Sequence, residues 1–368
     1  MKIMYCITSS SWGGAQLHVL ELCKDQIKRG NDVIFVVGNK GPLFEKVRKI
    51  RRVKAIIMPS LLRQVSPKND IKTIFKLRSL VKAEHPDIIH LHSSKAGVLG
   101  RLACVGLHHR TKVVFTVHGW AFTDGVPHNK QVIYRFIEKV VNNLADLFIC
   151  VSQYDQNIGK RDKVLNRSTK SVVIYNGSKQ PINNLVNHSV HKPLRLVMIA
   201  RFSPQKNQKL LIQALSKIDP RSYQLTFVGD GETINDCKQL VDKLSLKTSI
   251  HFIGFRDNII PYLVHNDVYI LTTNYEGLPI SIIEAMSYGL PVIASDVGGN
   301  GEMVLNKRDG YLIHNIDELI IALKRLIDNP ELVTEMGKEA YKVYKRNFIL
   351  ENNLNKVNDE YQKLLAKK

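Results

Sequence analysis

One stretch constrains the fold more than any other: residues 267–295, an apolar run (267–271), a polar turn, a helical segment and a second apolar run (292–295). The fixed φ of Pro279 suits a first helical turn, so a helix is expected to start just after Glu276. Leu278, Ile282, Ile283 and Met286 recur at near-helical spacing and should face a core. Gly289 ends the helix and Pro291 opens a strand parallel to the first. In such a βαβ unit ligands bind beyond the carboxyl ends of the strands, where Glu276 and the first helical N–H groups lie.

The same alternation runs through the chain. Strands are expected at 2–8, 32–37, 53–58, 87–91, 112–117, 146–151 and 171–175, then at 194–200, 224–228, 250–253 and 310–313, with helices between them. The fold class is therefore α/β, with parallel sheets covered on both faces. A chain of 368 residues suits two such domains better than one core. The expected division is 1–178, a polar, Pro-containing hinge at 179–192, and 193–349. A hydrophobic fraction of 44% against 23% charged excludes disorder. No run has the length of a membrane span and residues 1–8 lack the form of a signal peptide, so a cytoplasmic protein is expected. Cys6, Cys23, Cys104, Cys150 and Cys237 are odd in number and set mostly in apolar runs, as reduced buried thiols are.

Four charged residues near strand ends suggest chemistry. Arg201 and Lys206 bracket a strand-to-helix loop and could grip two phosphates, Arg through its fork and Lys as a point charge. Glu276 and Glu284 suit neutral hydroxyls, because one carboxylate accepts two hydrogen bonds from a vicinal diol. A ligand with both phosphates and diols is a sugar nucleotide. Taken singly, each acid is more often a solvated one. His118, followed by Gly119, ends a strand at the ligand side. His90-x-His92 lies on one face of a strand end without a third metal ligand at sensible spacing, and reads as cleft lining or core. Gly13-Gly14 forms a first βα turn but lacks the third glycine of a dinucleotide fingerprint.

The pattern Glu-Gly-x-Pro-x-x-x-x-Glu from Glu276 to Glu284, with Gly-x-Pro-Val-Ile-Ala-Ser at 289–295, resembles the signature of the large retaining glycosyltransferase family 4 of GT-B architecture. Segments such as Val-His-Gly-Trp-Ala-Phe (117–122) and His-Leu-His-Ser-Ser-Lys-Ala-Gly (90–97) resemble those of capsule and exopolysaccharide transferases. The resemblance implies two Rossmann-like domains facing each other across a cleft, with the helix at 350–366 packing back on the first. It implies catalytic roles for His118, Arg201, Lys206 and Glu276. It implies donor contacts from Gly13, Gly14, Phe255, Gly277, Leu278, Pro279, Ile280 and Glu284, and an acceptor side near Trp12, His92, Lys95 and Trp120. Glu284 would hold the ribose and Glu276 the donor sugar. The implied reaction is metal-independent, needs no cofactor, and moves a sugar of N-acetylated hexosamine type from a UDP-sugar to a polyprenyl-diphosphate-linked acceptor in cell-surface polysaccharide assembly. No Asp-x-Asp pair occurs, which disfavours a metal-dependent transferase.

Residues 1–180 carry 30 Lys and Arg against 12 Asp and Glu, +18 of the chain's +20. A bias confined to one half points to an anionic partner. Three basic segments, 46–54, the helix with Lys72, Lys76, Arg78 and Lys82, and 101–112, suggest peripheral docking on the inner membrane leaflet, although each alone reads as a solvated face. No aromatic-basic platform accompanies the charge, so nucleic acid is not expected. The competing enzyme reading is a nucleotide-sugar epimerase or hydrolase on the same scaffold.

Overall fold

The alternation resolves into two parallel sheets in the computed structural model, which describes residues 1–123, 125–181 and 189–366. The first contains β1 (Lys2–Ile7), β2 (Asp32–Val37), β3 (Val53–Ile57), β4 (Ile88–His92), β5 (Lys112–Val117), β6 (Leu147–Cys150) and β7 (Ser171–Val173). Their spatial order is β3-β2-β1-β4-β5-β6-β7. The second contains β8 (Leu194–Ile199), β9 (Tyr223–Val228), β10 (Ile250–Gly254), β11 (Val268–Leu271), β12 (Val292–Ser295) and β13 (Gly310–Ile313), in the order β10-β9-β8-β11-β12-β13. Right-handed crossovers put successive helices on one face until the order reverses, between β1 and β4 and again between β8 and β11. Loops splay apart at such a point and leave a crevice at the carboxyl edge.

The strands are apolar because both faces are covered: Ile3, Met4, Tyr5 and Cys6 of β1 are wholly buried, as are Val268, Tyr269, Ile270 and Leu271 of β11. All five cysteines are buried free thiols. Helix ends differ from expectation where local chemistry overrides period. The helix Ser94–Ala103 stops well short of the next strand, since Cys104 to Arg110 close turns on one another around Gly106 at φ 74°. The helix His128–Val141 begins directly after Pro127. Pro279 is not in the first turn of its helix. At ψ 119° it is the extended N-cap of Ile280–Ser287.

The chain divides into Met1–Tyr175 with Asn352–Lys368, and Asn176–Glu351. The boundary thus precedes the expected 178, for a local reason. The Asn176 side-chain amide donates to Leu278 O at 3.0 Å, Ser178 bridges Ile349, and a Cβ on Gly177 would lie 2.7 Å from Leu350 Cα. The expected hinge lies in part, at 182–188, outside the described residues. The last helix, Leu350–Leu365, sets Tyr361 against Tyr5 and His90 of the first unit. No helix among the described residues is long and apolar enough to cross a membrane.

Candidate active site

In the second unit the loops after β8 and β11 are tied together, and this positions the charges. Asn274 N donates to Gln205 O (2.8 Å) and its side chain to Pro204 O (2.9 Å). Thr273 Oγ1 donates to Gln205 O at 3.1 Å, Thr272 Oγ1 to Asn207 O at 3.1 Å, and Gln205 Nε2 to Tyr275 O at 2.8 Å. The result is an ion pair between the ammonium of Lys206 and Glu276 Oε1, both side chains largely buried. Arg201, two residues beyond β8, is exposed and makes no ion pair among the described residues.

Two glycine groups, unassigned from sequence, let the backbone approach this closely. A Cβ on Gly231 (φ 151°) would lie 2.1 Å from Phe202 O, and one on Gly298 (φ 59°) 2.0 Å from Glu276 O. Gly299 N also donates to Gly277 O at 2.8 Å. Only a residue without a side chain fits at either position. The usable signal in the sequence was Gly-x-Gly at 229–231 and Gly-Gly at 298–299, each just after a strand.

Glu284 lies one turn into the helix Ile280–Ser287, and burial without an opposing cation pushes its carboxyl up to about 7. Its neighbour is Tyr269, whose hydroxyl donates to Ile199 O at 3.1 Å and whose pKa is raised by burial and then by Glu284 and Glu276. Both acids therefore surround the end of β11, beside the strand that leads to Arg201. Leu278 and Ile280 are buried, so they can offer a ligand only backbone N–H groups, and Pro279 offers none. The ring of Phe255 is exposed on the same carboxyl edge, after β10. A loop cation, helical N–H groups and two acids can hold a diphosphate and hydroxyls together.

In the first unit a group of imidazoles gathers where β4 and β5 end and the helix Gly14–Lys28 begins. His92 Nδ1 lies 3.0 Å from His118 Nε2, and His18 meets His118 edge-on with centroids 5.3 Å apart. Beneath them His90 bonds Thr116 Oγ1 at 2.6 Å through Nε2 and the Tyr361 hydroxyl through Nδ1. Burial holds all four rings neutral, His18 down to about 4 and the others well below their ordinary value. Among the described residues no group of His, Cys, Asp or Glu side chains is placed to hold a metal ion. His118 alone of the four keeps part of its surface exposed. His18 was missed, although it sits one turn after Gly14 on the inward face of Gly14–Lys28.

Three residues expected on an acceptor side are placed elsewhere. Trp120 is core: its ring stacks on Phe122 at 5.1 Å and Nε1 donates to Asp155 O at 2.7 Å. His92 is wholly buried behind His118. Lys95 is held by Asp70 at 2.6 Å and by Gln64 O, which ties two helix starts together. Trp12 remains partly exposed in the glycine loop, with Lys46 Nζ 4.7 Å from its ring centre. Gly13 is extended there and Gly14 opens the helix.

Fold and site together define an α/β protein of two parallel-sheet units, each with charged or polar side chains gathered at the carboxyl ends of its strands. Residues 12–178 match the family described as Glycosyltransferase Family 4, and residues 182–343 the one described as Glycosyl transferases group 1. The UDP-Gal:alpha-D-GlcNAc-diphosphoundecaprenol alpha-1,3-galactosyltransferase of Escherichia coli is 30% identical over 354 residues, 92% of this chain and 90% of that protein. The O-antigen biosynthesis glycosyltransferase WbnH of Escherichia coli is 28% identical over 361 residues, 95% of this chain and 96% of that protein. Among solved structures, HepE of Anabaena in complex with UDP superposes with a TM-score of 0.79 at 22% identity, over 99% of this chain and 100% of that one. The chain belongs to the family 4 glycosyltransferases, enzymes of GT-B fold.

Proposed function

We propose that this glycosyltransferase moves a sugar, with retention and without a metal ion, from a UDP-sugar to a saccharide carried on a polyprenyl diphosphate at the inner face of the cell membrane. The observation that carries the donor half is the gathering of Arg201, Lys206, Glu276 and Glu284 at the β8/β11 switch point. The UDP seen in HepE and the lipid-linked acceptor in the name of the Escherichia coli relative support the reading. The place in cell-surface polysaccharide assembly is supported by the name of WbnH.

The bond between the anomeric carbon and the diphosphate oxygen breaks as an acceptor hydroxyl bonds the same face of that carbon. The hydroxyl proton passes to the departing phosphate and UDP leaves. Arg201, Lys206 and the N–H groups at the start of Ile280–Ser287 stabilise the charge that grows on the diphosphate. Glu276 holds donor hydroxyls while its ion pair with Lys206 fixes its position, and Glu284 accepts from the ribose diol. Phe255 and its backbone face the base.

Incubation with a panel of UDP-sugars and a polyprenyl-diphosphate-linked acceptor, with the product's anomeric configuration read by NMR, tests this in the presence of a chelator. Transfer with retention is expected. The sugar expected from sequence, an N-acetylated hexosamine, competes there with galactose, the donor sugar in the Escherichia coli relative's name. Isomerised or hydrolysed donor without transfer would favour the epimerase or hydrolase reading instead.

A further inference from the structure

The helix His128–Val141 carries its apolar stripe outward. Val132, Ile133, Phe136 and Val140 share one face at helical spacing and are 51%, 55%, 66% and 62% exposed. The inward side holds Val141 and Tyr134 against the core and, beside them, a buried ion pair: Glu138 meets Arg101, their atoms 2.6 Å apart, with the guanidinium 4.9 Å from the centre of the Phe115 ring. A helix that packs for stability alone turns its stripe the other way. Lys130 and Lys139 stand exposed beside the stripe.

A neighbouring helix repeats the pattern. Pro67–Glu84 packs on Ser94–Ala103, which packs on His128–Val141, so all three lie in one layer. Its outer face exposes Ile71 and Phe75 among the exposed Lys68, Lys72 and Lys76. The acids of these two outer helices, Asp70, Glu84 and Glu138, are paired with Lys95, Lys54 and Arg101. The layer's outer faces therefore combine apolar side chains with lysines that pair with no acid among the described residues.

We propose that the outer faces of His128–Val141 and Pro67–Glu84 dock this chain on an anionic bilayer, with Val132, Ile133, Phe136 and Val140 entering the boundary between headgroups and acyl chains. The lysines meet lipid phosphates, each contributing attraction that salt screens. A second copy of the chain would bring like charge against like charge, which disfavours it as the occupant. The proposal names the element behind the membrane contact in the functional reading and rests on it only for its purpose, since docking requires no transfer. It also revises the basic surface expected from sequence. Arg101 is buried, Lys112 is held by Asp146 at 3.5 Å, and the helix Pro42–Val47, which opens the 46–54 run, packs on Gly14–Lys28 instead.

Flotation of the full chain with phosphatidylcholine vesicles, with and without phosphatidylglycerol, reads the docking directly. Wild type should partition to the anionic vesicles and detach as salt rises. The exposed-face variant V132S/I133S/F136S/V140S should lose at least about tenfold in partitioning with its melting temperature retained. Lys130→Glu with Lys139→Glu should weaken binding to anionic vesicles in the same direction. Phe136→Trp should gain a fluorescence signal that brominated lipids quench. Equal partitioning of wild type and the four-site variant would overturn the proposal, as would a wild-type dimer that the variant dissolves without any vesicle binding. Loss of transfer with docking intact would count against the functional reading alone.

Discussion

His92 Nδ1 and His118 Nε2 lie 3.0 Å apart, and the buried ring stands directly behind the partly exposed one. Two neutral imidazoles at this distance share one proton, so the tautomer of His92 sets which nitrogen of His118 is a donor. His92 is thereby placed to orient the His118 ring.

Replacing His92 with Phe should lower kcat about tenfold to a hundredfold with little change in donor KM. The ¹⁵N shifts of His118 should move toward a mixture of tautomers. His92→Asn, which can still hydrogen-bond, should recover part of the rate. Unchanged His118 shifts in His92→Phe would remove the positioning role.

Glu284 titrates at about 7 in the folded chain against an ordinary value near 4.5. The folded state then binds more protons than the unfolded one between those values, so this group's contribution to stability falls as pH rises through 7. Glu284→Gln should be more stable than wild type at pH 8, by on the order of 2 kcal/mol with allowance for the partly exposed carboxyl. Near pH 4 the two should converge. Urea titrations across pH measure this, and parallel curves would contradict it.

Arg101 and Glu138 form a buried pair with the guanidinium near the rings of Phe115 and Phe148. Removing one partner leaves a charge without compensation, so Arg101→Met or Glu138→Leu should each cost about 3 to 5 kcal/mol. The double replacement should recover much of that loss in equilibrium unfolding. Additive losses would show that the two side chains do not act as a pair.

Gly298 has φ 59° and passes the carbonyl of Glu276 where a Cβ would sit 2.0 Å away. Gly298→Ala should push the Glu276 loop from Lys206 and weaken donor binding about tenfold or more. Calorimetry with UDP-sugar measures it, and undiminished affinity would show that the loop tolerates the shift.

How far the fold could be read in advance depended on which physics ruled each segment. Apolar runs such as 32–37, 112–117 and 292–295 have no reading but buried strands, and their bounds agree with β2, β5 and β12. Helix ends were less legible because Gly106 and Pro279 act through backbone angles that hydrophobic period does not record. That Arg201, Lys206 and Glu276 lie in loops after strands was legible because a parallel sheet offers charges few other places. Trp120 and His92 misled for the opposite reason. Polar-tipped rings can be core whenever the tip finds a partner, and Asp155 O and His118 lie far off in sequence. The outward stripe of His128–Val141 was invisible without knowing which side of the helix met the sheet.

If the second unit grips the diphosphate and ribose of a UDP-sugar through Arg201 and Glu284, UDP itself should report it. Isothermal titration of UDP into wild type, Arg201→Ala and Glu284→Ala is the most direct measurement. Saturable binding to wild type is expected, weakened in each variant by about 1.5 to 3 kcal/mol, roughly tenfold or more, with melting behaviour preserved. Equal UDP affinity in all three proteins would contradict it.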